Sequence, residues 1–115
     1  MRKRSIVSML AVTLIVASCT PSPAVPPGVE PSSQNVGVAV DLPGVSSLDG
    51  AAGIWSGFDI DLARWLGNRA NFSPVFVATV VGERIARLKR GDVQLVIEAF
   101  SITDENQQQI DYAGP

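Results

Sequence analysis

The sequence predicts an α/β fold organised on a parallel sheet in the order β-α-β-α-β. Three observations carry this expectation. Short β-branched runs occur at residues 36–40 (VGVAV), 74–79 and 93–97 (VQLVI). Between them, residues 58–66 and 82–90 place apolar side chains at helical spacing, and each of those stretches meets a glycine, Gly67 or Gly91. Strands separated by helices leave crossover connections, which join neighbouring strands in parallel with a right-handed path. Such sheets hold ligands at the carboxyl ends of their strands, here around Asp41, residues 79–81 and residues 98–103.

Before the first strand the chain has a different character. Arg2, Lys3 and Arg4 precede an apolar stretch at residues 6–17, and small residues lead to Cys19, the single cysteine. A charged start, a short apolar run and small residues before a cut make a secretory signal. The run falls short of the roughly 20 residues that span a bilayer. Residues 1–18 are therefore expected to be removed. The sequence VASC also resembles the lipobox of bacterial lipoproteins, which implies lipidation of Cys19. Residues 19–35 hold most of the eight prolines and no apolar periodicity, the composition of a disordered, partly extended tether. That leaves residues 36–115 for the folded part.

Within it, Asp41 closes the first strand, and a Gly/Ser/Pro-rich loop is expected as far as Gly57. In the helix that follows, Phe58, Leu62, Trp65 and Leu66 share one face and are expected in the core, while Asp59 and Asp61 complement the dipole of its first turn. Gly67 and Asn68 are expected to end it. The second helix turns Ile85 and Leu88 inward, Arg84 is read as a solvated charge, and Gly91 stops the helix. After the third strand, Thr103 is placed to cap a short helix, where a strand end passing into a helix start offers free amides to an anion.

Composition excludes several function classes. With Arg2, Lys3 and Arg4 gone, six basic residues face eleven acidic ones, a net charge of about −5. That opposes binding to nucleic acid or to anionic lipid surfaces. The chain has no histidine, and lipidation consumes its cysteine. The usual zinc ligands and Cys/His or Ser/His catalytic groups are thus missing, and no cofactor is expected.

The segments SGFDIDLA (residues 56–63) and FSITDENQQQIDYAGP (residues 100–115) resemble, at the right separation, the cleft motifs of the family 3 extracellular solute-binding proteins. The resemblance covers residues 36–115. It implies the first lobe of a type II periplasmic-binding-protein fold, ending before the crossover into a second lobe. It further implies a lipid-anchored binding component on the outer face of the cell membrane, with an ABC transporter permease as partner and a polar amino acid or similar small polar molecule as ligand. Asp41 followed by LPG, and the Gly82-Glu83-Arg84 sequence, are similar to glutamate-type members. By resemblance the ligand-binding residues are Asp41, Trp55, Phe58, Ala99, Ser101, Thr103 and Asn106, with Ser101 receiving the ligand's α-carboxylate. The duller reading is core packing for Phe58, packing or exposure for Trp55, and capping alone for Thr103.

Three positions depart from the family pattern. Asn106 stands where the pattern has an arginine, which exchanges a two-pronged charged grip for one neutral donor group. Glu98 replaces a small or hydroxylated residue, and Gln94 replaces a frequent aspartate. Some relatives on this fold are enzymes, which would need a converging acid and base. Glu98 is the one new carboxylate near the cleft and lacks an obvious partner, so the expectation is a binding protein and not an enzyme, with an enzyme on the same fold (a dehydratase or a fused peptidoglycan-active protein) or a non-functional remnant as the alternatives.

Overall fold

The computed structural model describes residues 28–113. The signal segment, Cys19 and the tether as far as residue 27 lie outside the described residues. A three-stranded parallel sheet is built from β1 (Ser32–Val38), β5 (Phe72–Ala78) and β6 (Leu95–Val96) in the order β5-β1-β6. In register, Val36 faces Phe76 on one side and Leu95 on the other. The predicted parallel α/β sheet is borne out.

The first strand begins at Ser32 rather than residue 36, because β5 supplies partners from Ser32 opposite Phe72 onward. β6 is two residues long, yet Gln94 donates its amide to the Asn35 carbonyl and Ile97 to that of Gly37, so the ladder continues on both sides. Pro74 is accommodated because β5 is an edge strand, where a missing N–H costs no ladder bond on the open side.

The segment expected to be a loop forms a second sheet instead. β2 (Asp41–Leu42), β3 (Ser46–Asp49) and β4 (Ile54–Ser56) make an antiparallel meander. Its turn is held by Asp49, whose Oδ1 accepts from the amides of Ala51 and Ala52 at 2.9 and 3.1 Å. The buried Ser46 donates its hydroxyl to the Ala39 carbonyl at 2.6 Å and so pins the meander to the end of β1. The Asp49-Gly50 pair is a turn signal of the hairpin kind, but strands of two to four residues are too short to show periodicity.

Helix α1 (Phe58–Ala70) starts where the meander ends. Its first amides are already satisfied, Phe58 donating to the Gly44 carbonyl at 3.1 Å and Asp59 to that of Val45 at 2.9 Å. Gly57 permits this approach: its φ is 121°, and a Cβ there would lie 2.4 Å from the Val45 oxygen. The helix runs past Gly67 to Ala70, with Asn71 in the left-handed conformation as its cap. Gly67 therefore does not end α1. It permits close packing on β5.

The buried stripe of α1 is Asp59, Ile60, Ala63 and Gly67, packed on Val36 and Val38. The expected core stripe is thus corrected, since Phe58 is 66% and Trp65 53% exposed, and Leu62 and Leu66 are half-buried. α1 is apolar over more of its circumference than the sheet covers. The side with Ala63 and Gly67 lets the helix axis approach closest, and that side is the one buried.

A 3₁₀ turn (Val81–Glu83) leads into α2 (Arg84–Arg90), and Gly91 caps it in the left-handed region as expected. Ile85 and Leu88 are half-buried. The buried residue of α2 is Arg84, which corrects the expectation of a solvated charge. A last turn, α3 (Asp104–Gln107), follows β6.

Candidate functional site

A parallel sheet brings the ends of β1, β5 and β6 to one side of the molecule, and the polar groups collected there form the candidate site. Thr79, just past β5, donates its amide to the Val38 carbonyl at 2.9 Å. Its hydroxyl lies 3.2 Å from the same carbonyl and 2.9 Å from Glu98 Oε2, so a single proton serves one acceptor at a time. Arg84 reaches from α2, donating Nη2 to Glu98 Oε1 at 2.8 Å and Nη1 to the Ala99 carbonyl at 3.0 Å. The Arg84 and Glu98 side chains are 5% and 3% exposed. The guanidinium also lies 5.0 Å from the centre of the Phe100 ring. Arg84 Nε is buried without a partner.

Beside this pair the chain turns into the predicted ligand segment. Thr103 is the N-cap of α3, and its Oγ1 accepts from the Asn106 amide at 3.2 Å. Asn106 in turn donates Nδ2 to the Ser101 carbonyl at 3.3 Å, and Tyr112 donates its hydroxyl to the same oxygen at 3.2 Å. Ser101, Thr103 and Asn106 therefore form one cross-linked turn, with Ala99 fastened to Arg84 just before it. Ser101 and Thr103 are exposed, with Ile102 between them 46% exposed.

The other sequence candidates lie apart from that turn. Asp41 is exposed in β2. Trp55 is half-buried, its ring 5.9 Å from that of Phe76, and it packs against the core cluster. Phe58 projects from the start of α1, mostly exposed. Gln94 has a structural task, accepting from the Asn35 amide at 2.8 Å and donating to the Gly91 carbonyl at 2.9 Å.

A cavity of about 560 Å³ opens beside the turn rather than within it. Leu62 and Leu66 of α1, Leu95 of β6, Leu88 and Tyr112 give it apolar walls, and Asp59, Gln94, Glu98 and Asp111 are its polar lining. Among the site candidates only Ala99 touches it. Asp59 is 6% exposed, and its Oδ2 is buried without a hydrogen-bond partner. Burial, and secondarily the charge of Glu98, raise its pKa above the ordinary 3.8.

Sequence reasoning placed Thr79 at a strand end and read Arg84 as a solvated charge, but joined neither of them to Glu98. The available signal was positional: both belong to the loop-and-helix start after β5, and Glu98 follows β6, so the parallel alignment of both strands on β1 brings all three to one end of the sheet. Among the described residues no group of three or more His, Cys, Asp or Glu side chains is arranged to hold a metal ion, and no helix is long and apolar enough to cross a membrane.

Comparison with known proteins agrees with this architecture. The lysine/arginine/ornithine-binding periplasmic protein of Escherichia coli (strain K12) is 31% identical over 106 residues, which are 92% of this chain and 40% of that protein. The chain thus spans about two fifths of that relative's length. The solved structure of an ancestral amino acid-binding protein, AncCDT-1, a precursor of cyclohexadienyl dehydratase, matches with a TM-score of 0.68 at 31% identity, over 73% of this chain and 37% of that one. The arginine-bound form of domain 1 from the T. maritima arginine-binding protein matches with a TM-score of 0.60 at 26% identity, over 67% of this chain and 60% of that one. The expected first lobe of a type II periplasmic binding protein is therefore borne out. The pattern of the bacterial extracellular solute-binding proteins, family 3, matches residues 34–115, and the chain belongs to that family.

Proposed function

We propose that this chain supplies the first-lobe half of a receptor that binds a polar amino acid outside the cytoplasm and hands it to an ABC importer. Cys19 is lipidated and tethers it to the outer face of the cell membrane. The observation that carries the reading is the exposed Ser101–Ile102–Thr103 turn, braced by Asn106 and Tyr112 at the carboxyl end of β6. The Ser101 and Thr103 hydroxyls, carried on a backbone turn that these hydrogen bonds brace, suit a ligand carboxylate, because little ordering of the turn remains to be done on binding. Exposed Val80 and Val81 at the end of β5 offer an apolar rim for the ligand's aliphatic part. The relatives' names, lysine/arginine/ornithine-binding and arginine-binding, support an amino acid as the ligand. Glu98, the carboxylate that an enzyme on this fold would need free, is held by Arg84 and Thr79.

The test is a thermal-melt series on the mature chain with each common amino acid at millimolar concentration. A ligand present at ten times its Kd stabilises the folded state by about 1.4 kcal/mol, a rise of about 5 °C or more for a domain this small. No rise with any amino acid rejects the reading. Membrane fractionation of cells expressing Cys19→Ala tests the anchor, with the protein expected to leave the membrane fraction.

A further inference from the structure

Arg84 is the buried cation at the carboxyl ends of the strands, and Glu98 has taken hold of it. Its two terminal nitrogens are spent on Glu98 Oε1 and the Ala99 carbonyl, and the Phe100 ring lies 5.0 Å from the guanidinium. Glu98 lines the cavity, together with Ala99 and Phe100, whereas Arg84 is not among the cavity's lining residues. The carboxylate therefore stands between the guanidinium and this cavity, just ahead of the Ser101–Thr103 turn in the chain.

We propose that Glu98 determines ligand charge at this site: it occupies Arg84 with the protein's own carboxylate, so the site takes neutral or cationic amino acids and refuses aspartate and glutamate. The proposal deepens the amino-acid-binding reading above and rests on it. An acidic ligand side chain would have to displace Glu98, which would leave a buried carboxylate with only the shared Thr79 hydroxyl as donor, a costly state. Among the described residues no second buried cation is present to repay that cost. On the neighbouring strand-end loops Asp41, Asp104 and Glu105 are acidic and exposed, Glu83 is paired with Arg87, and Asp59 is buried and lines the same cavity as Glu98; the field of the exposed carboxylates also favours a cation. The similarity of the Gly82-Glu83-Arg84 sequence to glutamate-type members is thus offset by the residue that Arg84 meets. Chain positions 84 and 98 are read as one unit.

The experiment compares the wild-type chain with Glu98→Gln, which removes the charge and keeps the size. Glu98→Thr, with the hydroxylated type of residue that the family pattern has at this position, is the second variant should the first fail to fold. Lysine, arginine, glutamine, glutamate and aspartate are titrated against each by calorimetry. Wild type is expected to prefer lysine, arginine or glutamine. Freeing Arg84 is expected to move the glutamate-to-lysine affinity ratio toward glutamate by about tenfold to a hundredfold, the value of one charged hydrogen bond. Wild type that prefers glutamate or aspartate, or a ratio that stays put in the variant, overturns the proposal.

If no amino acid binds to any form, the receptor reading has failed, and a sulfate titration decides the pair by itself. Glu98→Gln should then be stabilised by inorganic sulfate more than the double variant Arg84→Met/Glu98→Gln, which shares every general salt effect but lacks the guanidinium. Equal sulfate responses overturn the claim that Glu98 masks an anion-receiving Arg84.

Discussion

Gly67→Ala is the substitution for which helix propensity and packing make opposite forecasts. Gly67 lies within α1, where alanine is favoured over glycine by about 1 kcal/mol. A Cβ at this position, however, would lie 2.4 Å from the Phe72 carbonyl oxygen and 3.1 Å from Pro74 Cδ. Ordinary contact begins near 3.4 Å, so the last turns of α1 and the start of β5 would have to separate by about 1 Å. The obstacle is backbone, which cannot swing aside. Overpacking of this kind costs about 1–3 kcal/mol, and the upper end applies because the same seam carries the contacts of Ile60 and Ala63 with Val36 and Val38. The net loss is about 2 kcal/mol after the propensity gain. That is a large share of the few kcal/mol that hold a domain of this size together. Urea unfolding followed by far-ultraviolet circular dichroism would show a midpoint lower by about 1 M. Asn68→Ala, one residue on and exposed, gains about 0.5 kcal/mol of propensity without the clash and serves as the control. A Gly67→Ala midpoint equal to or above wild type would refute the close-packing argument.

Three further outcomes follow from the site. Asp59 has its pKa raised in the fold, so its contribution to stability is fully present below 3.8 and is lost as pH rises through the raised folded value. The stability difference between Asp59→Asn and wild type should therefore shift in favour of the asparagine as pH climbs above 3.8; urea midpoints that keep a constant gap across that range would reject burial as the cause. Asn106→Arg restores the charged donor of the family pattern and should tighten binding of an amino-acid carboxylate by about tenfold to a hundredfold, measured by calorimetry, with unchanged affinity counting against the turn as the carboxylate site. Thr103→Ala removes the cap from a four-residue helix, a local loss of about 1 kcal/mol, so amide exchange at Asn106 should quicken while the global urea midpoint moves little.

The parallel sheet was legible because its signals are local and redundant. Three β-branched runs separated by helical spacing leave few alternatives, and Gly91 and Thr103 announce a helix end and a helix start through their own backbone needs. The meander at residues 41–56 was not legible, since its strands are held by the Ala39 carbonyl and by each other rather than by any periodic pattern. The buried face of α1 was misread for a related reason. Phe58, Leu62, Trp65 and Leu66 make the more hydrophobic stripe, but Ala63 and Gly67 make the closer-packing one, and hydropathy carries no term for how near two backbones can come. Of the candidate ligand residues, Ser101, Thr103 and Asn106 were found together because they lie within six residues of one another. Trp55 and Asp41 depended on how a misread segment folds.

By itself the sequence determined the fold class and the family, and it pointed to the strand ends as the candidate site, because each follows from the order and spacing of elements along the chain. Tertiary structure alone decided the fate of the charges. Arg84 looks like a surface residue and Glu98 like an unpaired carboxylate until β5, β1 and β6 align in parallel and bring residues 14 apart to 2.8 Å. Electrostatic identity depends on distance and on exclusion of water, and both are properties of the packed sheet rather than of either residue.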